Sequence, residues 1–128
     1  MSSGIFDSSV LIDCLRGRAN AVAFLATQSA VSRPSTHLLV VAELLTGARD
    51  KSEQSLIDSF LQTFGLALPN EADGLTAPDL YRKFRLSHGV DWPDCQIAAT
   101  ALRLDVEVFT QNVKHFTAFP GLRVVRAY

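Results

Sequence analysis

The sequence is short of most features that mark a specialised chain. Its 128 residues include two cysteines, one methionine and one tryptophan. Cys14 and Cys95 both sit in apolar helical pattern, where a free cysteine behaves as a small hydrophobe, so no disulfide framework is expected. A reducing, cytoplasmic setting is the matching expectation. No apolar run reaches the roughly 18–20 residues of a membrane span. The opening Met1-Ser2-Ser3-Gly4-Ile5-Phe6-Asp7 has no basic stretch followed by an apolar one, so no signal peptide is expected. Charge of one sign is missing too: 12 Lys and Arg stand against 13 Asp and Glu, a net charge of −1. That argues against gripping nucleic acid by bulk electrostatics, while leaving room for a local basic rim and a metal. There is no glycine-rich phosphate loop, nucleophile elbow or paired-cysteine motif. His37, His88 and His115 lie at no zinc-like spacing.

What is present is enough apolar material for one core: 48% hydrophobic and 20% charged residues, at a length that suits a single domain over residues 1–128. Residues 3–6 read as a short extended lead-in that stops at Asp7. Ser8 and Ser9 offer helix-capping chemistry for a helix over 10–15 that ends near Gly17. A second helix covers about 21–29. Residues 33–36 read as a short strand, feeding a helix from 38 or 39 to 48. Residues 51–64 are amphipathic, with apolar side chains at spacings of one, three and four, and Gly65 closes them before a strand at 66–68. A helix over 79–88 stops at Gly89. Another opens at Asp91-Trp92-Pro93-Asp94 and runs to about Leu104. Residues 106–110 and 122–126 read as strands, with a loop over 116–121. Short strands alternating with helices predict an α/β domain with a mainly parallel sheet. In such sheets the ligand crevice lies beyond the carboxyl ends of the strands, where strand order switches.

Three separated acids fit that crevice. Asp7 follows the first strand directly, although a plain helix cap is the alternative there. Glu43 sits in Leu38-Leu39-Val40-Val41-Ala42-Glu43-Leu44-Leu45, a helix apolar on nearly every side. A carboxylate so placed needs a cation or a salt-bridge partner, for which Arg49 or Arg33 would serve. Asp94 opens the helix that follows Pro93. Asp91 is placed to cap that helix, which leaves Asp94 without a structural job. A carboxylate in a helix's first turn is stabilised as the anion, as a metal ligand must be. Thr110-Gln111-Asn112 follows the fourth strand at the same edge. Carboxylate ligands select hard cations, Mg²⁺ or Mn²⁺, and acids converging at this edge suit metal-assisted phosphodiester hydrolysis.

With these residues in view the chain resembles the PIN-domain family, and within it the VapC-type toxin ribonucleases of type II toxin–antitoxin systems. Ile5-Phe6-Asp7-Ser8-Ser9-Val10-Leu11-Ile12 resembles the family's opening strand and first acid. Val41-Ala42-Glu43-Leu44, with Gly47 following, resembles its second. Asp94-Cys95-Gln96-Ile97-Ala98-Ala99-Thr100-Ala101 resembles its Asp-Ala-x-Ile-Ala-Ala-Thr-Ala stretch, and Thr110-Gln111-Asn112 its Thr-x-Asn or Thr-x-Asp turn. The resemblance implies a PIN-like three-layer α/β/α domain with short, mainly parallel strands. It also implies Mg²⁺-dependent endoribonuclease activity, with Mn²⁺ a possible substitute, a homodimer, and a VapB-like antitoxin that occupies the acidic cleft. Carried over by position, Asp7, Glu43 and Asp94 are the metal ligands and catalytic acids. Asn112 stands where some members have a fourth acid, and Ser9 and Thr110 take supporting roles. The sequence departs from the family pattern at the neutral Asn112, at Cys95 in place of a small Ala, and at His115, where many relatives carry Asp before Phe116. One well-held metal is therefore the expectation.

Arg16, Arg18, Arg82 and Arg85 are the candidate RNA contacts, with Arg16 and Arg18 favoured by their closeness to the first acid's helix. Trp92 could stack a base, but packing of the loop before its helix is the simpler reading. Asp13 is expected at the surface or at a dimer contact, and His37 and His88 are given no role. Two other functions remain open from the residues alone. One is a catalytically silent PIN-fold binding module, which the neutral Asn112 would suit. The other is a phosphatase or phospho-receiver-like acidic α/β domain, although Ser9 stands where the phosphatase pattern wants a second Asp.

Overall fold

The computed structural model describes residues 4–128; Ser3, assigned above to the first strand, lies outside the described residues. The elements run β1 (Ile5–Phe6), α1 (Ser8–Leu15), α2 (Ala19–Val31), β2 (Ser35–His37), α3 (Leu38–Thr46), α4 (Lys51–Leu61), β3 (Gly65–Ala67), α5 (Glu71–His88), α6 (Trp92–Leu104), β4 (Val108–Thr110), a 3-10 turn (Val113–His115) and β5 (Val124–Arg126). The five strands form one sheet in the order β3-β2-β1-β4-β5, with every pairing parallel. From β1 to β3 the chain steps one way across the sheet; it then crosses back to β4 on the far side of β1. Parallel crossovers are right-handed, so that reversal puts helices on both faces and makes three layers, α/β/α. The switch in strand order falls between β1 and β4.

Strands this short are stable because they are buried and braced by aromatic side chains. Ile5, Phe6 and Val108 are almost fully buried. Phe6 meets Phe24, Phe64 and Phe109 edge-to-face, at centroid distances of 5.8, 6.0 and 5.0 Å, the arrangement aromatic quadrupoles favour. Gly4 has a steric reason to be glycine: a Cβ there would stand 2.7 Å from the Glu107 carbonyl and 2.8 Å from the Phe109 ring. Among the described residues no helix is long and apolar enough to cross a membrane.

Several expectations shift. The cap of α1 is Asp7 itself, not Ser8 or Ser9. Strands β2, β4 and β5 are shorter than the segments expected for them, and β2 reaches His37 rather than stopping at Thr36. Helix α5 begins eight residues before residue 79 and contains Pro78. A reciprocal capping box between Asn70 and Asp73 fixes its start, and packing along α6, with Ala77 and Leu80 buried, carries it through Pro78, which cannot donate its hydrogen bond. Gly89 ends α5 at φ +64°, the left-handed conformation expected of it.

Candidate active site

Asp7 is placed by the first βα junction. β1 delivers it to the switch point, and α1 starts at the next residue. Its Oδ1 accepts from the Ser9 amide (3.0 Å), the Ser9 hydroxyl (2.6 Å) and the Val10 amide (3.4 Å), while Oδ2 accepts from the Thr110 hydroxyl at 2.5 Å. Ser9 Oγ in turn accepts from the Gln111 amide, and Thr110 Oγ1 from the Asn112 amide. Ser9 and Thr110 thus tie the β1 and β4 loops together through one carboxylate. Asp7 is both a helix cap and a cleft residue, so the two readings of it were not alternatives. Its pKa is raised by burial, against the Ser9 and Thr110 hydrogen bonds that pull it down.

Asp7, Ser8, Glu43, Asp91, Pro93, Asp94, Ile97, Asn112 and His115 line a cleft of about 170 Å³. It therefore joins the three acids picked from the sequence, with Asn112 exposed at its edge. Glu43, however, is exposed rather than enclosed. Val40 and Leu44 are the buried residues of α3, and Leu44 also borders a groove alongside. That groove is lined by Ile12, Leu15, Leu44, Leu56 and Ile57 and shares Glu43 with the cleft. Neither suggested salt-bridge partner reaches Glu43: Arg49 pairs with Glu53 at 2.6 Å, and Arg33 donates to the Thr63 and Phe64 carbonyls. Crowding by the cleft walls raises the Glu43 pKa, a hydrogen bond with Ser8 lowers it, and the Asp7 charge raises it again.

Asp94 is the most exceptional group. Its Oδ2 is buried and has no hydrogen-bond partner among the described residues; His115 Nδ1 lies 3.1 Å away without the geometry of a bond. Its pKa is pushed up to about 6, first by burial and then by the Asp91 and Asp7 charges, with His115 pulling the other way. A helix N-terminus favours the anion by about 0.3–1 kcal/mol, whereas two pKa units are worth roughly 3 kcal/mol. Burial wins, so the dipole does not keep Asp94 at an ordinary value.

Asp91 overturns another expectation. It occupies the N-cap position of α6, yet its side chain makes no capping bond. Instead Asp91, Asp94 and His115 bring ligand atoms within 4.8 Å of one another. His115 is a departure from the family pattern in the sequence, and spacing along the chain gives no sign of its place here: the 3-10 turn brings it across 21 residues to Asp94. The cleft consequently holds four acids despite the neutral Asn112. An orphaned buried carboxylate oxygen repelled by the Asp91 and Asp7 charges, in a cleft that Glu43 also lines, suits a divalent cation, which would satisfy the oxygen and offset the repulsion.

The arginines are less convincing. Arg16 lines the apolar groove and Arg18 sits 3.5 Å from Asp13. Arg82 pairs loosely with Asp79, and Arg85 lies over the Tyr81 ring at 5.9 Å. None of the four lines the acidic cleft. Trp92 packs edge-to-face on Tyr81 at 5.5 Å. Asp13 is partly buried, accepting from the Tyr128 hydroxyl at 2.5 Å, and is not a bare surface acid. Cys14 and Cys95 are free, their thiols pushed up to about 11 by burial, which leaves them inert as nucleophiles.

A second polar cluster, missed in the sequence, lies deeper. Asp73 is 1% exposed. It accepts two bonds from Arg103 (2.8 and 3.0 Å) and one from the Thr100 hydroxyl (2.7 Å). Thr100 Oγ1 is 2.9 Å from His37 Nε2, and His37 Nδ1 accepts from the Leu39 amide. Because Nδ1 accepts, Nε2 carries the proton and donates to Thr100. Burial lowers the His37 pKa and keeps the ring neutral. Asp73 was legible as the N3 acid of a capping box after Asn70, and His37 therefore has a structural role after all.

Comparison with known proteins agrees with this architecture. The PIN domain family model matches residues 5–121. Ribonuclease VapC19 of Mycobacterium tuberculosis is 35% identical over 121 residues, covering 93% of this chain and 96% of that protein. Ribonuclease VapC10 of the same organism is 32% identical over 120 residues, covering 93% and 90%. A chain in a toxin–antitoxin complex from Klebsiella pneumoniae superposes with a TM-score of 0.82 at 27% identity, covering 98% of both chains. A match along nearly the whole sequence, on a parallel sheet with acids gathered at its switch point, means that the chain belongs to the PIN domain family.

Proposed function

We propose that this chain is a VapC-type endoribonuclease, the toxin of a VapBC-type module, cleaving RNA phosphodiester bonds with one divalent cation in the acidic cleft. Mg²⁺ is the first choice of cation and Mn²⁺ its substitute. The observation that carries the reading is the buried, unpartnered Oδ2 of Asp94 beside Asp7, Glu43 and Asp91. A fold does not maintain such an arrangement for stability, because like charges and a desolvated oxygen both destabilise it. The ribonuclease names of the M. tuberculosis relatives support the substrate class.

Bound there, the cation supplies positive charge that offsets the charge developing on the phosphodiester and makes water a better nucleophile. Asp94, Glu43 and Asp91 would hold it. Asp7, pinned at both oxygens by Ser9 and Thr110, completes the ligand set from a fixed position. A carboxylate oxygen of the cleft left free by the cation, such as one on the exposed Glu43, can take the proton from an attacking water. Asn112 at the cleft edge can donate to a phosphate oxygen without adding negative charge.

The partner reading rests on the likeness to a chain of the toxin–antitoxin complex from Klebsiella pneumoniae. A VapB-like antitoxin would cover the acidic cleft and exclude RNA. Residues 1–128 acting as one domain, a homodimer in the cytoplasm, and phosphate contacts from Arg16 and Arg18 complete the proposal. The test is RNA cleavage by purified protein with EDTA, Mg²⁺ or Mn²⁺, alongside growth on induction. Asp7→Asn, Glu43→Gln and Asp94→Asn should each abolish cleavage and growth arrest; full activity in any one would reject the assignment.

A further inference from the structure

We propose that His115 Nδ1 is a direct ligand of the cation held by Asp94 and Asp91, which makes this a mixed nitrogen–oxygen site that prefers Mn²⁺ to Mg²⁺. The inference rests on the metal site proposed above and adds to it the identity of one donor and its consequence for the cation.

Three observations carry it. First, His115 Nδ1 and Asp94 Oδ2 meet as an ion-pair contact at 3.1 Å without the alignment of a good hydrogen bond, and that oxygen has no other partner among the described residues. Bonds of about 2.1 Å at right angles around one ion place neighbouring donors about 3.0 Å apart. The pair therefore has the spacing of two adjacent ligands, with a cation in place of a proton between them. Second, Asp91 completes a triad whose ligand atoms lie within 4.8 Å of one another, close enough to the roughly 4.2 Å between opposite corners of such a shell that a small side-chain rotation brings all three onto one ion.

Third, the ring is held at the cleft by its own backbone. The turn at Val113–His115 is closed by bonds from the His115 amide to the Asn112 carbonyl (2.9 Å) and from the Phe116 amide to the Val113 carbonyl (3.0 Å). Phe116, the next residue, is fully buried and anchors the turn from below. The other end of the turn is fixed by the Asn112 amide on Thr110, the residue that also grips Asp7. The His115 side chain is 47% exposed and is open to a cation arriving from solvent. Imidazole is a better ligand for the later divalent ions than for Mg²⁺, and affinity rises from Mn²⁺ through Co²⁺ to Ni²⁺. A nitrogen donor in an otherwise carboxylate site should therefore favour Mn²⁺ over Mg²⁺.

Pulsed electron paramagnetic resonance on the Mn²⁺-loaded protein, with calorimetric titration of Mn²⁺ and Mg²⁺, tests this without reference to activity. The wild type should show imidazole ¹⁴N modulation. His115→Asp and His115→Asn should lose it, and in His115→Asp the Mn²⁺:Mg²⁺ affinity ratio should fall by about 10-fold or more. His37 cannot supply the signal, because both its nitrogens are engaged in the core. Mn²⁺ binding without nitrogen modulation, or modulation that persists in His115→Asp, would overturn the inference and leave the metal site standing. If the wild type binds neither ion at millimolar concentration, the metal site fails and His115 with it.

Discussion

Helix α6 serves two ionic sites built on opposite rules. At its first turn, Asp94 faces other carboxylates, keeps a buried oxygen unpartnered, and has its pKa raised to about 6. About 9 Å further along, Thr100 and Arg103 grip Asp73. Burial of Asp73 works against its charge there too, but Arg103, Thr100 and the Asn70 amide outweigh it and leave its pKa below the ordinary value. Both carboxylates are taken out of water; only one is repaid by neighbours. The satisfied cluster ties α5 and α6 to the β2–α3 junction, so it holds the two helices that present Glu43 and Asp94. The deprived cluster is where a cation and substrate can act. Stability and function are separated along one helix.

This contrast can be broken by mutation. Asp94→Asn should lower RNA cleavage by roughly 10²–10³-fold or more, the scale seen when one preorganised charge-stabilising group is removed. The same change should leave the melting temperature of the metal-free protein equal or higher, since it removes a repelled charge. A loss of stability together with activity would merge the two sites. Asp73→Asn should do the reverse: a loss of about 3 kcal/mol by denaturant titration, from unpairing Arg103 and Thr100. Its activity at temperatures where it stays folded should remain within a few-fold of wild type.

Titration offers a subtler test. For Asp94, Glu43 and Asp7 the folded protein holds the proton more tightly than the unfolded chain. Metal-free stability should therefore rise as pH falls from about 7 towards about 5, with Asp94 alone contributing on the order of 1–2 kcal/mol. Asp73 has the opposite sign: its contribution is present above the ordinary carboxylate pKa and is lost only below it, in stronger acid. Thermal melts in EDTA across pH 4–8 measure this. A flat profile, or one unchanged by Asp94→Asn, would refute the raised pKa at the cleft. The smallest effect belongs to Arg82→Ala, whose pairing with Asp79 is exposed and 4.0 Å long; denaturant midpoints should shift by less than about 0.5 kcal/mol.

The sequence determined the alternation of strands and helices, the parallel sheet, and which acids stand at strand and helix ends, because those follow from local periodicity and punctuation. Asp7 and Asp94 were legible as residue types in those positions, and Glu43 as a lone charge within an apolar helix. Glu43 was picked for a reason that proved false: its helix is apolar, but the carboxylate is exposed at the cleft rather than enclosed. Only the tertiary structure decided that Asp91 leaves its cap position's usual bond unmade and turns to the cleft. It alone set His115 beside Asp94, and made Asp73, His37, Thr100 and Arg103 one network. Capping, burial and ligation all use the same side-chain atoms, and which of them an atom serves depends on neighbours tens of residues away. Pattern along the chain cannot weigh those neighbours, whereas the packed sheet and its two helical layers can.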